Sequence, residues 1–405
     1  MSTQFQYHGN RREALKVIGL GLGSGLAVSG CSRPAGDSGA DSEEGSEAIK
    51  SSVPLAVIVV GPEDLARSIE MSWSAVSEQA LSIQSLAPED VATRGEGLVG
   101  DCVIYPAISQ GDLIKTQVLA GLKGDDYSAM IESVPDSIMR TCGRTESDVK
   151  GIPIATSIPV IATNAENAEE ARQEVSFPLD PVEAADAFLL YAGSSASQWL
   201  FNIRDMSPLV GEDEYVSLLT QLKGRAELWK SSQQKINVAE GINMGDVLTG
   251  WTNLASVDPG INATLVGASG SDPALVPSGL TLIGGLCRKC RQSRLAKAFI
   301  GWLAGGEGLS QIAATLAGTI VTGNESNYPP IAQEFFSRFA SRSPLRIPGG
   351  QRYQISLGKA VTGVLFDGDD PKANLSKCSE QWRRITRELG ESRQLAAWRA
   401  CNDPG

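Results

Sequence analysis

The sequence predicts an α/β protein. Three observations carry that expectation. Continuous apolar runs rich in β-branched residues end at Gly-Pro or Pro. Apolar stripes at helical spacing follow them. Asp-Pro pairs open two of the clearest stripes.

The first run is Leu55-Ala56-Val57-Ile58-Val59-Val60, ended by Gly61-Pro62. Its length and unbroken apolarity suit a strand buried on both faces, as in a parallel sheet. Pro62 suits a helix start. Leu65, Ile69, Trp73 and Val76 then recur every three or four residues, so one helical face is apolar. Leu81, Ile83 and Ser85 alternate as a second strand, and Cys102-Val103-Ile104-Tyr105, stopped by Pro106, forms a third. Strand, helix and strand of these lengths make a βαβ unit, which crosses over right-handed.

A second pattern opens at Gly151. Ile152, Ile154, Ile158, Val160 and Ile161 form an extended apolar segment interrupted by Pro153 and Pro159. Asp180-Pro181 caps a helix with Val182, Ala185, Phe188 and Leu189 inward, closed by Gly193. Further strands are expected at Ile236 to Val238 and at Gly279 to Ile283. A helix follows with Leu295, Phe299 and Trp302 inward, ended by Gly305-Gly306. The clearest helix is C-terminal: Asp370-Pro371 opens it, and Leu375, Cys378, Trp382, Ile385 and Leu389 step along one face before Gly390.

The N-terminus reads as an export signal. Arg11-Arg12, then Leu15 and Lys16, precede an apolar, glycine-rich run from Val17 to Gly30. As a helix that run would span roughly 21 Å, short of the roughly 30 Å of a bilayer core. A signal peptide over residues 1–30 fits better than a membrane span. The paired arginines resemble a twin-arginine signal, and Leu26-Ala27-Val28-Ser29-Gly30-Cys31 resembles a bacterial lipobox, which implies lipid attachment at Cys31. Residues 31–52 are rich in Gly, Ser, Asp and Glu and read as a flexible tether. The expected location is outside the cytoplasm, on a bacterial membrane through that lipid anchor.

Composition narrows the function. The chain has 405 residues, a net charge of −12 and one histidine, His8, which falls inside the signal. Cleavage would leave no imidazole, removing Ser-His-Asp and Cys-His catalysis and imidazole metal sites. The acidic balance argues against nucleic acid as a partner. Phosphate-loop and nucleophile-elbow motifs are missing, and no cofactor or metal is expected. Cys287-Arg288-Lys289-Cys290 is the loudest chemical motif; it follows a strand and opens a helix, where a thiol redox pair would sit. With Cys31 lipidated, Cys102, Cys142, Cys287, Cys290, Cys378 and Cys401 remain, as structural disulfides or buried free thiols.

Several segments, in order, resemble the extracellular solute-binding proteins of ABC importers, within the sugar-binding group that includes maltodextrin-binding proteins. They are the strand Leu55 to Val60; Gly100 to Pro106; the stretch from Lys150 to Asn164; Glu240 to Trp251; Ala296-Lys297-Ala298-Phe299-Ile300-Gly301-Trp302-Leu303; and Pro371 to Gly390. The resemblance implies a two-lobe periplasmic-binding-protein fold with hinge crossovers, closing on a solute without chemistry. It implies lobes of 53–160 plus about 276–320, and 161–275 plus about 321–405. The implied partners are a small solute, most simply a carbohydrate, and the permease subunits of the importer. Ligands sit at the carboxyl ends of parallel strands, which nominates Glu63, Asp64, Tyr105, Pro106 and Ser157. The resemblance adds Asn164 at the crossover and Trp251 as a sugar platform. Two departures stand out. Aromatics make up only 6% of the chain, and Thr163-Asn164 stands where the family has Tyr-Asn. These fit a cleft for a small polar or charged solute, or one that has lost tight binding. Two other readings stay open: a sensor or interaction module on the same fold, and an exported thiol oxidoreductase using Cys287 and Cys290.

Overall fold

The computed structural model describes residues 53–123, 127–163, 177–226, 249–258, 260–265, 274–305, 308, 312, 319–321, 328–338 and 342–402. The signal residues Arg11 and Arg12, the lipobox Cys31, Asn164 and the expected strand at 236–238 lie outside them.

Strand β1 (Leu55–Val60) is buried along nearly its whole length, as its unbroken apolar run requires. Helix α1 (Glu63–Val76) follows and buries Leu65, Ile69 and Trp73. Val76, expected inward, ends the helix 47% exposed. Strand β2 (Leu81–Leu86) alternates half-buried and exposed positions because it is the outer strand of its sheet. Strand β3 (Cys102–Pro106) is buried throughout. Both β2 and β3 pair with β1 in parallel, completing the expected βαβ unit. A short helix α2 (Gln110–Lys115) follows.

The extended segment after Gly151 divides into two strands. Strand β4 (Ile152–Ser157) lies in the six-stranded sheet, and strand β5 (Pro159–Thr163) is the middle strand of a three-stranded one. The chain passes from one sheet to the other through the single residue Ile158. The two prolines are tolerated for different reasons. Pro153 pairs with Ile283 next to a register shift, and Pro159 begins its strand. Helix α3 (Pro181–Gly193) starts where Asp180 accepts hydrogen bonds from the N–H groups of Val182 and Glu183. Helix α4 (Asp213–Ala226) follows. Strands β6 (Thr249–Asn253) and β7 (Asn262–Leu265) flank β5, both antiparallel to it.

Residues 274–281 lead back to the larger sheet. Strand β8 is Leu282–Leu286, three residues later than the expected Gly279 to Ile283. The shift has a packing cause. Gly284 and Gly285 carry no apolar side chain to mark a strand, yet each sits where a side chain would collide with the core. A Cβ on Gly285 would lie 2.7 Å from Leu119 Cδ2 and 3.1 Å from Tyr105 Cε1. Strand β8 runs antiparallel to both β3 and β4, so β1, β2, β3 and β4 all point the same way. Helix α5 (Ser293–Ala304) packs on this sheet beside α1. Trp73 meets Phe299 and Trp302 edge-on, with ring centroids 5.2 and 5.0 Å apart. Strand β9 (Thr319–Val321) closes the sheet in the order β9-β4-β8-β3-β1-β2.

Helices α6 (Pro330–Phe336), α7 (Gly350–Phe366), α8 (Pro371–Leu389) and α9 (Glu391–Asn402) complete the chain. The capped stripe expected from Asp370 to Gly390 is α8, with Leu375, Cys378, Trp382 and Ile385 buried. Trp382 stacks on Phe201 at 4.8 Å, and Tyr353 and Trp398 close the same aromatic cluster. Helix α7 lies directly on α3. At Gly358 a Cβ would fall 1.6 Å from the carbonyl oxygen of Pro181, so only glycine lets the two helices come this close.

The six remaining cysteines are free thiols, five buried and Cys290 half-buried. Among the described residues no helix is long and apolar enough to cross a membrane.

Candidate functional site

Because β1, β2, β3 and β4 point one way, their carboxyl ends form one edge of the six-stranded sheet. Gly61 to Asp64, Pro106 to Ser109 and Ser157-Ile158 meet there. The returning segment 278–281 joins them from the other direction. The N–H groups of Ala107 and Ile108 donate to the carbonyls of Thr281 and Gly279, both at 2.9 Å. Thr156 and Thr281 share a hydroxyl hydrogen bond of 2.7 Å. Among the described residues, the passages at Ile158 and at 278–281 therefore lie on this edge. In open α/β sheets such an edge is where ligands bind.

The sequence-nominated residues separate into two groups here. Glu63 and Asp64 occupy the first turn of α1 and are solvent-exposed, where carboxylates also complement the helix dipole. Asp64 lies 3.5 Å from Arg67 Nη1 in an exposed pair. Ser157 is half-buried at the end of β4. These three are at least partly accessible to solvent.

The others face inward. Tyr105 is fully buried, and its hydroxyl accepts a hydrogen bond from Gln110 Nε2 at 3.3 Å. Its ring occupies space left by two glycines: a Cβ on Gly151 would lie 2.8 Å from its hydroxyl oxygen. Burial holds that phenol protonated far above its ordinary range. Pro106 is buried beside it. Trp251, the expected sugar platform, is 2% exposed and packs between Phe177 and Tyr191, with ring centroids 5.2 and 6.3 Å away. Its partner across the ladder is Ile161. Tyr105 and Trp251 are thus core residues in this structure and offer no face to a ligand.

The structure adds polar residues that the sequence did not single out. Asp186 on α3 is buried against the returning segment. It accepts hydrogen bonds from the Ser278 hydroxyl, from the Gly279 N–H at 3.1 Å and from Gln354 Nε2 at 2.6 Å. Burial pushes its pKa up to about 6, and the three donors hold it from rising further. Arg346 is 1% exposed and, among the described residues, is in no ion pair. It donates to Gln110 Oε1, to the Cys142 and Arg144 carbonyls at 3.0 and 2.8 Å, and to the Ser343 hydroxyl at 3.2 Å. Asp112 accepts from the Gly349 N–H with both oxygens, and burial raises its pKa. Each of these bonds joins segments more than 90 residues apart in sequence, apart from Arg346 with Ser343, so no local motif marks them.

The Cys287–Cys290 pair lacks the electrostatics of a redox site. Catalytic thiols have depressed pKa values. Burial, reinforced by the neighbouring thiol, pushes Cys287 up to about 12, and burial pushes Cys290 up to about 11. Among the described residues no group of His, Cys, Asp and Glu is arranged to hold a metal ion.

No protein-family model matches the chain, and no curated protein does. Among solved structures the chain is similar to an ABC-transporter solute-binding protein from Agrobacterium radiobacter K84 in complex with ribitol. The likeness has a TM-score of 0.62 at 15% identity and covers 82% of this chain and 99% of that one. The sheet order, the crossovers and this likeness together give the chain a mixed α/β fold of the periplasmic-binding-protein kind.

Proposed function

We propose that this protein is the membrane-anchored solute-binding component of an ABC importer, which captures a small polyhydroxylated solute by hinge closure and performs no reaction on it. The observation that carries this reading is the meeting of two crossovers, at Ile158 and at 278–281, at the carboxyl edge of the six-stranded sheet. A ligand bound at that edge would contact residues on either side of the hinge, so its binding energy would favour the closed arrangement. The lobes in this reading are 53–160 with about 276–320, and 161–275 with about 321–405. Signal residues Arg11 and Arg12 would direct export, Cys31 would carry the lipid, and permease subunits would receive the loaded protein.

The solute class follows from which side chains are available. Tyr105 and Trp251 are committed to the core, which leaves carboxylates and hydroxyls: Glu63, Asp64 and Ser157, with Asn164 as the expected crossover contact. Such groups suit a chain of hydroxyls, each a donor and an acceptor, better than the flat face of a pyranose, which favours aromatic stacking. The solved relative in fold binds ribitol, an acyclic sugar alcohol. A sugar alcohol or small sugar is the solute this site fits.

Thermal-shift screening with pentitols, hexitols, mono- and disaccharides tests the reading. A solute at a hundred times its Kd stabilises the folded state by about 2.7 kcal/mol, which raises Tm by several degrees. A flat response across the whole panel would instead favour an interaction module on the same fold.

A further inference from the structure

The motif Cys287-Arg288-Lys289-Cys290 remains unexplained by solute capture. It lies at the end of the six-stranded sheet opposite the candidate solute site. Cys102 opens β3 there and pairs with Leu286, whereas Pro106 ends β3 at the solute edge. At about 3.3 Å per residue the two ends are roughly 15 Å apart.

A pocket of about 370 Å³ opens beside the motif. Lys115, Thr116, Gln117, Arg288 and Lys289 supply its polar wall, and Glu96 is its one acidic lining residue. Arg291, Arg294 and Lys297 continue the same run, so five cations fall within residues 288–297 and no acid does, in a chain of net charge −12. Arg288, Lys289, Arg291 and Arg294 are exposed. Among the described residues none of these four is in an ion pair.

The loop is held rigidly. The buried Asp101 carboxylate accepts from the Arg291 and Gln292 N–H groups at 2.7 and 3.1 Å, and from the Ala56 N–H at 3.0 Å. These bonds keep Asp101 ionised and consume its acceptor capacity beneath the loop, while the exposed Arg288, Lys289, Arg291 and Arg294 side chains stand in solvent. On the pocket wall, Arg288 Nη1 donates to Gln117 Oε1 at 2.8 Å, and Gln117 adopts a left-handed backbone, with φ 58°. Cations on a pinned loop beside a pocket form an oxyanion site of low reorganisation cost.

The chain's entry point says where that site faces. Gln292 Nε2 donates to the Pro54 carbonyl at 3.0 Å, one residue before β1 begins. Residues 31–52, the Gly/Ser/Asp/Glu-rich stretch that follows the lipobox in sequence, lead into that point. We propose that the pocket and its cationic rim bind the phosphate of anionic phospholipid headgroups and so dock this end of the body on the membrane. The proposal rests on the lipid-anchor reading for its orientation.

The test uses the full chain carrying Cys31→Ser, which cannot be lipidated, in flotation with phosphatidylglycerol-containing vesicles and with phosphatidylcholine vesicles. The expected result is a salt-sensitive preference for the anionic vesicles. Each cation near such a surface contributes roughly fivefold, so Arg288→Gln, Lys289→Gln and Arg294→Gln together should cut the preference about a hundredfold at unchanged Tm. Equal binding to both vesicle types, or a preference that survives the triple variant, overturns the proposal. So does calorimetric binding of inorganic phosphate to a chain that does not discriminate between vesicles, since the ligand would then be the free ion. Mass measurement of the wild-type chain tests lipidation at Cys31 separately, so failure of the anchor and failure of the docking site are distinguishable.

Discussion

Gln354 donates its Nε2–H to Asp186 Oδ1 at 2.6 Å, tying helix α7 to helix α3 beside the segment that re-enters the six-stranded sheet. Asp186 also receives the Gly279 N–H, so one carboxyl group fixes the geometry of this crossover. Its pKa of about 6 lies above the ordinary value of 3.8 because burial disfavours the charged form. The folded chain therefore holds this proton more tightly than the unfolded chain between those two values. Stability from this group should rise as pH falls from about 6 to about 4 and stay level above 6. The full effect of a two-unit shift is about 3 kcal/mol. Urea midpoints across that range should show the slope, and Asp186→Asn should remove this residue's part of it.

The contact between α3 and α7 gives a steric test. Gly358→Ala would drive a Cβ into the Pro181 carbonyl, so the helices must separate. Overpacking of this kind costs about 1–3 kcal/mol or more. The variant should unfold at clearly lower urea, whereas Gly224→Ala, at an open position on α4, should not.

Arg346 anchors the C-terminus to the core. Besides Gln110 and Ser343 it binds backbone carbonyls of Cys142 and Arg144, and the Ser343 hydroxyl in turn donates to the Cys401 carbonyl at 2.9 Å. Arg346→Met would leave several buried acceptors unpaired, at about 1–3 kcal/mol each for those that water cannot reach. Denaturation and hydrogen exchange should both show the loss, with α9 exchanging first.

Thiol chemistry separates binding from redox function. With Cys287 and Cys290 raised to about 12 and 11, fewer than roughly one molecule in a thousand carries a thiolate at neutral pH. Alkylation of the native protein should be slow and should become fast in denaturant. Cys287→Ser with Cys290→Ser should leave solute affinity unchanged within about twofold.

Local signals carried much of the fold. Helix α8 was legible almost to the residue because its cap, Asp370-Pro371, and its stripe are both local. Strand β1 was legible for the same reason. Strand β8 was displaced because its glycines, Gly284 and Gly285, give no apolar signal, and Gly285 is there to admit Tyr105 and Leu119. The site was less legible. A buried strand gives no period to show which residue faces a cleft, so Tyr105 and Trp251 read as ligand contacts although both fill the core. Asp186 and Gln354 lie 168 residues apart, and only the folded chain brings them together. Glu63, Asp64 and Ser157 remain open at the expected edge because strand direction alone placed them there.

Calorimetric titration with ribitol and related sugar alcohols, coupled to small-angle scattering, tests the central claim most directly. The account predicts one-to-one binding, a smaller radius of gyration in the bound state, and about tenfold weaker binding for Asp64→Ala with Ser157→Ala at unchanged Tm. Absence of binding across sugar alcohols and small sugars, or binding without compaction and unaffected by those substitutions, would contradict it.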